Sequence, residues 1–232
     1  MATFYTKEIT PDSKVFTLDE AASKHCIQVL RHATGDEITL ADGRGGRYTA
    51  VIMDDNRKKT VVQISRYEQV AAAPHALRIA ISFTKNASRI EWFLEKAAEI
   101  GVQSIIPLLT QRSEKERFKA ERLENILVSA MLQSQQYYLP ELTAPLAFDK
   151  LVSSATDEQR LIAHCLPEQK QSLQQQLEAG KGALILIGPE GDFTPTEIAL
   201  ALEKGFVPVS LGATRLRTET AGMVACVLFN NQ

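Results

Sequence analysis

Beyond residue 76 the chain carries five nearly unbroken apolar runs, Leu77–Phe83, Ser104–Leu109, Arg160–His164, Ala183–Ile187 and Val207–Leu211. Runs of this length without polar alternation are strands buried on both faces, and helices between them imply a parallel sheet covered on each side. The intervening stretches have the helical period. Ser88 with Glu91 three residues later reads as a capping box, Ile90, Phe93, Leu94 and Ala97 share one face, and Gly101 is a stop signal. A long helix is expected over Arg117 to about Tyr137, another over Glu168–Glu178, and a third over Pro195–Lys204, opened by Thr194-Pro195-Thr196-Glu197. An apolar helix over about Thr218–Phe229 closes the chain.

The first seventy residues follow a different period. Glu37–Leu40, Arg47–Met53 and Thr60–Ile64 are short and β-branched, with turn signals at Asp42-Gly43, Gly45-Gly46 and Asp54-Asp55-Asn56, which predicts an antiparallel meander. Before it, Leu18 to Leu30 carries a helical stripe that Asp19 can cap. A small β-barrel with an accessory helix fits residues 1–70, Ala71–His75 reads as a linker, and the α/β domain takes 76–232.

Composition excludes classes more than it selects one. Hydrophobic residues at 44% and charged residues at 23% allow a real core. A formal net charge of −2 announces no polyanion binder, so any such site must come from local clustering. Segment 78–119 supplies some: Arg78, Lys85, Arg89, Lys96, Arg112, Lys115, Arg117 and Lys119 outnumber Glu91, Glu95, Glu99, Glu114 and Glu116. The alternative there is a solvated face stitched by pairs such as Lys96 with Glu99. Cys26, Cys165 and Cys226 lie far apart and read as reduced thiols, and His25, His32, His75 and His164 have no ligand partner at metal-binding spacing, so no metal is expected. With no signal peptide and no apolar run of about 20 residues, a cytoplasmic protein without membrane contact is the expectation.

The unusual residues collect at strand ends. Gly188-Pro189-Glu190-Gly191-Asp192 follows one apolar run, and Gly212 through Ala221 follows the next. Neither is a phosphate loop, so they are either tight turns before a helix or ligand-binding loops. Here the chain resembles a family. Gly188-Pro189-Glu190-Gly191 with Leu211-Gly212 and Leu216-Arg217-Thr218-Glu219-Thr220-Ala221 is similar to the knotted SPOUT methyltransferases. It resembles most closely their RsmE group, which methylates N3 of a uridine in small-subunit (16S) ribosomal RNA. Arg89, Glu95-Lys96, Glu99-Ile100-Gly101-Val102, Pro107, Val29-Leu30-Arg31 and Gly35-Asp36 extend the match over nearly the whole chain.

The resemblance implies a PUA-like RNA-binding barrel followed by a SPOUT α/β domain with a deep trefoil knot, a rare exception to the rule against knots. It implies S-adenosylmethionine as cofactor, held by His164, Ile187, Gly188, Glu190, Gly191, Leu211, Gly212, Leu216, Arg217 and Thr218, with Leu211 and Leu216 against the adenine. Ribosomal RNA of the small subunit would be the partner, met by Arg31, His32, Arg44, Arg47, Lys85 and Arg89, and the active form would be a homodimer packed through the last helix. Because N3 of uridine attacks only after losing its proton, a cation near the uracil carbonyls is expected. Arg217 is the candidate for it, and Glu219 for accepting the proton or orienting Arg217; both could equally be ordinary residues of a helix start. One departure stands out: where relatives carry an arginine this chain has Gln136, followed by Tyr137 and Tyr138, which either stack on a base or pack. A transfer-RNA ribose 2′-O methyltransferase and a non-catalytic ribosome-assembly factor are the alternatives.

Overall fold

The computed structural model describes residues 2–113, 118–167 and 170–232. Two compact units emerge, Met1–Ala72 with Met131–Leu139, and Ala73–Ala130 with Pro140–Gln232. Residues 131–139, assigned from the sequence to the C-terminal domain, thus make their contacts with the N-terminal unit.

The N-terminal unit contains β1 (Thr3–Tyr5), β2 (Val15–Thr17), α1 (Glu20–Lys24), β3 (Glu37–Ala41), β4 (Gly46–Asp54) and β5 (Val61–Gln69). β3, β4 and β5 form the expected meander; β1 adds parallel to β3 and β2 antiparallel to β5, giving the order β1-β3-β4-β5-β2. The expected barrel is therefore a curled five-stranded sheet with β1 and β2 as its edges. β4 buries Tyr48, Ala50 and Ile52 at period two, and its two register breaks, at Thr49/Ala50 and Ile52/Asp54, bend it. Asp19 caps α1 as expected, accepting from the Ala22 N–H at 2.7 Å. The helix continues over His25–Val29 as a π-helix and not as an α-helix to Leu30, and Arg31 follows with φ of 61°.

The C-terminal unit runs β6 (Leu77–Ile81), α2 (Ala87–Ile100), β7 (Ser104–Leu109), α3 (Ala120–Gln133), β8 (Glu141–Leu142), β9 (Leu146–Ala147), α4 (Phe148–Ser154), β10 (Gln159–Ala163), β11 (Gln171–Ser172), α5 (Leu173–Gln176), β12 (Ala183–Ile187), α6 (Pro195–Glu203), β13 (Val207–Ser210) and α7 (Thr218–Asn230). All pairings in its sheet are parallel, in the order β11-β13-β10-β12-β6-β7-β8, with β9 on β7. β12 is buried at every position, and a core of Ile106, Phe148, Leu184, Phe193 and Phe206 packs on one face. The Thr194–Glu197 capping box forms, and Gly101 ends α2 at φ 97°.

Three further expectations need correction. The Ser88–Glu91 capping box does not form: Asn86 stands at the cap, Ser88 Oγ donates to Asn86 Oδ1, and Glu91 pairs with Arg122 at 2.6 Å. α3 stops at Gln133 because Gln135 takes φ 58°, so Tyr137 and Tyr138 lie beyond the helix; Arg117 lies outside the described residues. Of the helix expected over Glu168–Glu178, only Leu173–Gln176 is α-helical, and Glu168 and Gln169 lie outside the described residues. Among the described residues no helix is long and apolar enough to cross a membrane.

Candidate functional site

β13, β10 and β12 are parallel neighbours, so the loops that follow them leave the same edge of the sheet. Ligands on open α/β sheets bind at such carboxyl ends. A cavity of about 750 Å³ opens there, within the C-terminal unit. Of the residues that the family resemblance assigns to the cofactor, His164, Ile187, Gly188, Glu190, Leu211, Gly212, Leu216, Arg217 and Thr218 line this cavity. Gly191 is not in the lining; its carbonyl accepts from Arg112 Nη1 at 2.6 Å.

Side chains brace the three loops against one another. Asp192, in the left-handed region at φ 62°, accepts from the Cys165 N–H at 2.8 Å with Oδ2 and from the Phe193 N–H with Oδ1, tying the loop after β12 to the loop after β10. Thr218 Oγ1 donates to the Gly188 carbonyl at 3.1 Å, and Arg215 Nη2 to the Glu190 carbonyl at 3.3 Å, tying the loop after β12 to the segment after β13. Gly212 has φ 142°, and a Cβ there would meet open space. Buried His164 accepts on Nδ1 from the Leu166 N–H, with Lys170 Nζ also 3.3 Å away, which assigns the ring proton to Nε2. Lys170 Nζ further donates to the His164 and Leu166 carbonyls, so its ammonium is fixed at the cavity wall.

Lys170 and Asp192 escaped the sequence reasoning, since their placement depends on loops meeting across the sheet. Arg89, expected on RNA, lines the cavity from the first turn of α2. Its Nη1 lies 3.4 Å from Glu190 Oε1 and its Nε 3.6 Å from Glu219 Oε1. Glu219, in the first turn of α7, is buried behind Arg89 and is not in the lining; Arg217 is exposed and lines the cavity.

The other expected RNA contacts differ in how far they are committed internally. Arg31 and Lys85 are exposed. His32 Nδ1 lies 3.0 Å from Asp36 Oδ2, and the Ala33 N–H first, then His32, holds the Asp36 carboxyl below its usual range. Arg44 donates to the Lys7 and Ile9 carbonyls, both at 3.2 Å, and lies 3.7 Å from the buried Asp42. Arg47 stands 5.7 Å over the Tyr137 ring. Tyr138 packs: its hydroxyl donates to the Val70 carbonyl and accepts from Gln69, while the backbone of Gly43 and Gly45 bonds Leu139 and Tyr137. Much of the basic excess of segment 78–119 is paired, Arg78 with Asp157 and Lys96 with Glu95 and Glu99; Glu114, Lys115, Glu116 and Arg117 lie outside the described residues. Cys165 is exposed beside the cavity, whereas burial pushes the Cys226 thiol up to about 12. No group of three metal-ligating side chains occurs among the described residues.

Comparison with known proteins matches this architecture. Residues 71–230 match the family model described as an RNA methyltransferase domain, and residues 18–65 that of an RNA methyltransferase PUA domain. The ribosomal RNA small subunit methyltransferase E of Synechocystis sp. is 31% identical over 92% of this chain and 72% of its own length. A crystal structure of a probable rRNA-methyltransferase from Porphyromonas gingivalis superposes with a TM-score of 0.94 at 39% identity, covering 100% of this chain and 98% of that one. Ribosomal RNA small subunit methyltransferase E from Neisseria gonorrhoeae, bound to S-adenosyl methionine, gives 0.88 at 27% identity, covering 100% and 97%. With the first match spanning well over half its length, the chain belongs to the RNA methyltransferase family, in the group of the ribosomal RNA small subunit methyltransferases E.

Proposed function

We propose that this protein transfers a methyl group from S-adenosylmethionine to N3 of a uridine in the 16S ribosomal RNA of the small subunit. The observation that carries this is the braced cavity at the ends of β10, β12 and β13 in a chain of this family. Its size is within the range of small-molecule sites, about 300–1,000 Å³. Its chemistry suits the cofactor's two halves: Ile187, Leu211 and Leu216 offer apolar surface to a flat base, and Lys170, Glu190 and Asp192 offer charge to a zwitterionic tail. Bound there, S-adenosylmethionine would supply a methyl group made electrophilic by its sulfonium. The residues of the chain hold it, keep the loops closed through Asp192, Thr218 and Arg215, and present cations to an anionic acceptor. Arg217, exposed on the cavity wall, is assigned to an RNA phosphate at its mouth.

In the N-terminal unit, Arg31, His32 and Arg47 are the RNA contacts we favour. Arg31 supports this because a non-glycine residue in the left-handed region costs about 1–2 kcal/mol and is retained mostly where it serves a purpose. The π-helix before it, a feature frequent at functional sites, leaves Val29 and Leu30 exposed beside it. Arg47, stacked on Tyr137, offers a cationic face to a base. Lys85 adds a cation in the C-terminal unit. Exposed Trp92 on α2 and Val227 on α7 support a homodimer joined through this helix pair, and we place the trefoil knot of such a domain around β10, which lies between β12 and β13 in the sheet.

The test is mass spectrometry of nucleosides from small-subunit RNA treated with the protein and labelled cofactor. Label in 3-methyluridine is expected; label in a ribose methyl would overturn the assignment. Calorimetry showing no cofactor binding by the folded protein would favour a non-catalytic RNA-binding role.

A further inference from the structure

Four cations line the cavity, Arg89, Lys170, Arg215 and Arg217; Lys170 is committed to the His164 and Leu166 carbonyls and Arg215 to the Glu190 carbonyl, which leaves Arg89 and Arg217 as candidates for the cation needed beside the acceptor uracil. Packing of α7 on α2 distinguishes them. Gly222 of α7 lies so close to α2 and β6 that a Cβ would come within 2.6 Å of the Phe93 ring and 2.9 Å of Ile81 Cδ1. One turn earlier on each helix, that register sets Glu219 against Arg89. Glu219 is only 7% exposed, and its Oε2 has no hydrogen-bond partner among the described residues. A buried carboxylate met by a single cation at 3.6 Å is costly for stability alone. What it achieves is orientation: Nε of Arg89 faces Glu219 and Nη1 faces Glu190, while Nη2 carries two further donors. Arg217 has no carboxylate partner among the described residues, so it would have to be ordered during the reaction.

We propose that Arg89 donates to a carbonyl oxygen of the acceptor uracil, and that Glu219, helped by Glu190, is a positioning residue acting through Arg89. This deepens the methyl-transfer function proposed above and rests on it. Loss of the N3 proton to solvent leaves a negative charge shared between N3 and its flanking carbonyl oxygens. A guanidinium fixed in advance stabilises that anion more than the neutral base, which lowers the pH at which N3 ionises in the complex.

Single-turnover rates at saturating cofactor and RNA, measured against pH, test this beside calorimetric cofactor affinity and RNA affinity. Wild type should form 3-methyluridine at a rate that climbs with pH to a plateau. Arg89→Lys should slow it about 100-fold at neutral pH. Its plateau should move up by at least about one pH unit, each unit being a tenfold loss of anion stabilisation. Cofactor affinity should be unchanged. Glu219→Gln should slow the reaction about tenfold with a shift in the same direction, and should add nothing to Arg89→Lys. Thermal unfolding identifies a misfolded Glu219→Gln, in which case exposed Glu190→Gln tests the same anchoring through the shift of its pH profile, read with cofactor raised to saturate that variant, because Glu190 also faces the cofactor's tail. The proposal is overturned if Arg89→Lys raises only the KM for RNA, if cofactor affinity falls in step with the rate, or if Arg217→Lys is the variant that moves the profile. Wild type that makes no 3-methyluridine refutes the methyl-transfer function itself, a result distinct from any of these.

Discussion

The C-terminal unit builds its candidate site from backbone, with three loops leaving adjacent parallel strands and held by Asp192, Thr218 and Arg215 around a cavity. The N-terminal unit instead presents cations from a curled sheet, and these spend much of their hydrogen bonding on their own chain, as Arg44 does on the Lys7 and Ile9 carbonyls. A concave site made of fixed loops should respond to single substitutions with large losses of ligand binding. A surface of dispersed cations should respond with small, salt-dependent ones.

The largest effect is expected at Gly212. Its φ of 142° disfavours any side chain, and a Cβ there enters open space beside the cavity. Gly212→Leu should weaken cofactor binding by calorimetry by about two orders of magnitude or more, since the added side chain competes for the cavity. RNA affinity should be nearly unchanged. Equal losses of both would erase the contrast between the units.

Next comes Asp192. Removing its carboxylate frees the Cys165 and Phe193 N–H groups and places alanine at φ 62°. Asp192→Ala should cost about 1–3 kcal/mol of stability and about tenfold in cofactor affinity, and Asp192→Asn, which tolerates the left-handed conformation, distinctly less. The exposed Cys165 gives an independent measure: its alkylation rate should rise in Asp192→Ala and fall when cofactor is added. If Asp192→Ala binds cofactor as wild type does, the loops do not need their braces.

These two residues also mark what a sequence can disclose. Gly212 was marked by its place after an apolar run, where a glycine makes either a tight turn or backbone that a ligand can approach, and the family resemblance chose between the two. The parallel sheet was legible for a related reason: strands such as Ala183–Ile187 are apolar at every position, a pattern that one-sided sheets do not produce. Asp192 was not, because its partner Cys165 is 27 residues away and the two meet only through the sheet order β10-β12. β1 and β2, three residues each, are too short to show a period, and they are held by β3 and β5 and not by propensity. Ser88–Glu91 failed as a capping box because Asn86 competes for the cap and Arg122, from another helix, takes Glu91. Local patterns find elements; contacts between distant segments decide which polar side chains serve structure and which remain for function.

Arg44 and Arg47, three residues apart around one glycine turn, carry that distinction at its smallest scale. From the sequence they form one basic pair, but Arg44 is held by two carbonyls and Asp42, whereas Arg47 lies open over Tyr137. Arg44→Ala should therefore act on stability, lowering that of the N-terminal unit by about 1 kcal/mol, the scale of a lost hydrogen-bonded anchor. The dependence of RNA affinity on salt should stay as in wild type. Arg47→Ala should leave thermal unfolding alone and reduce the slope of log affinity against log salt by about 0.7, the value of one phosphate contact on single-stranded RNA. A base-stacking role adds a loss that persists at high salt, because stacking is not screened as charge is. Parallel salt titrations of the two variants separate these outcomes, and identical slopes would mean that Arg47 too is committed to the fold.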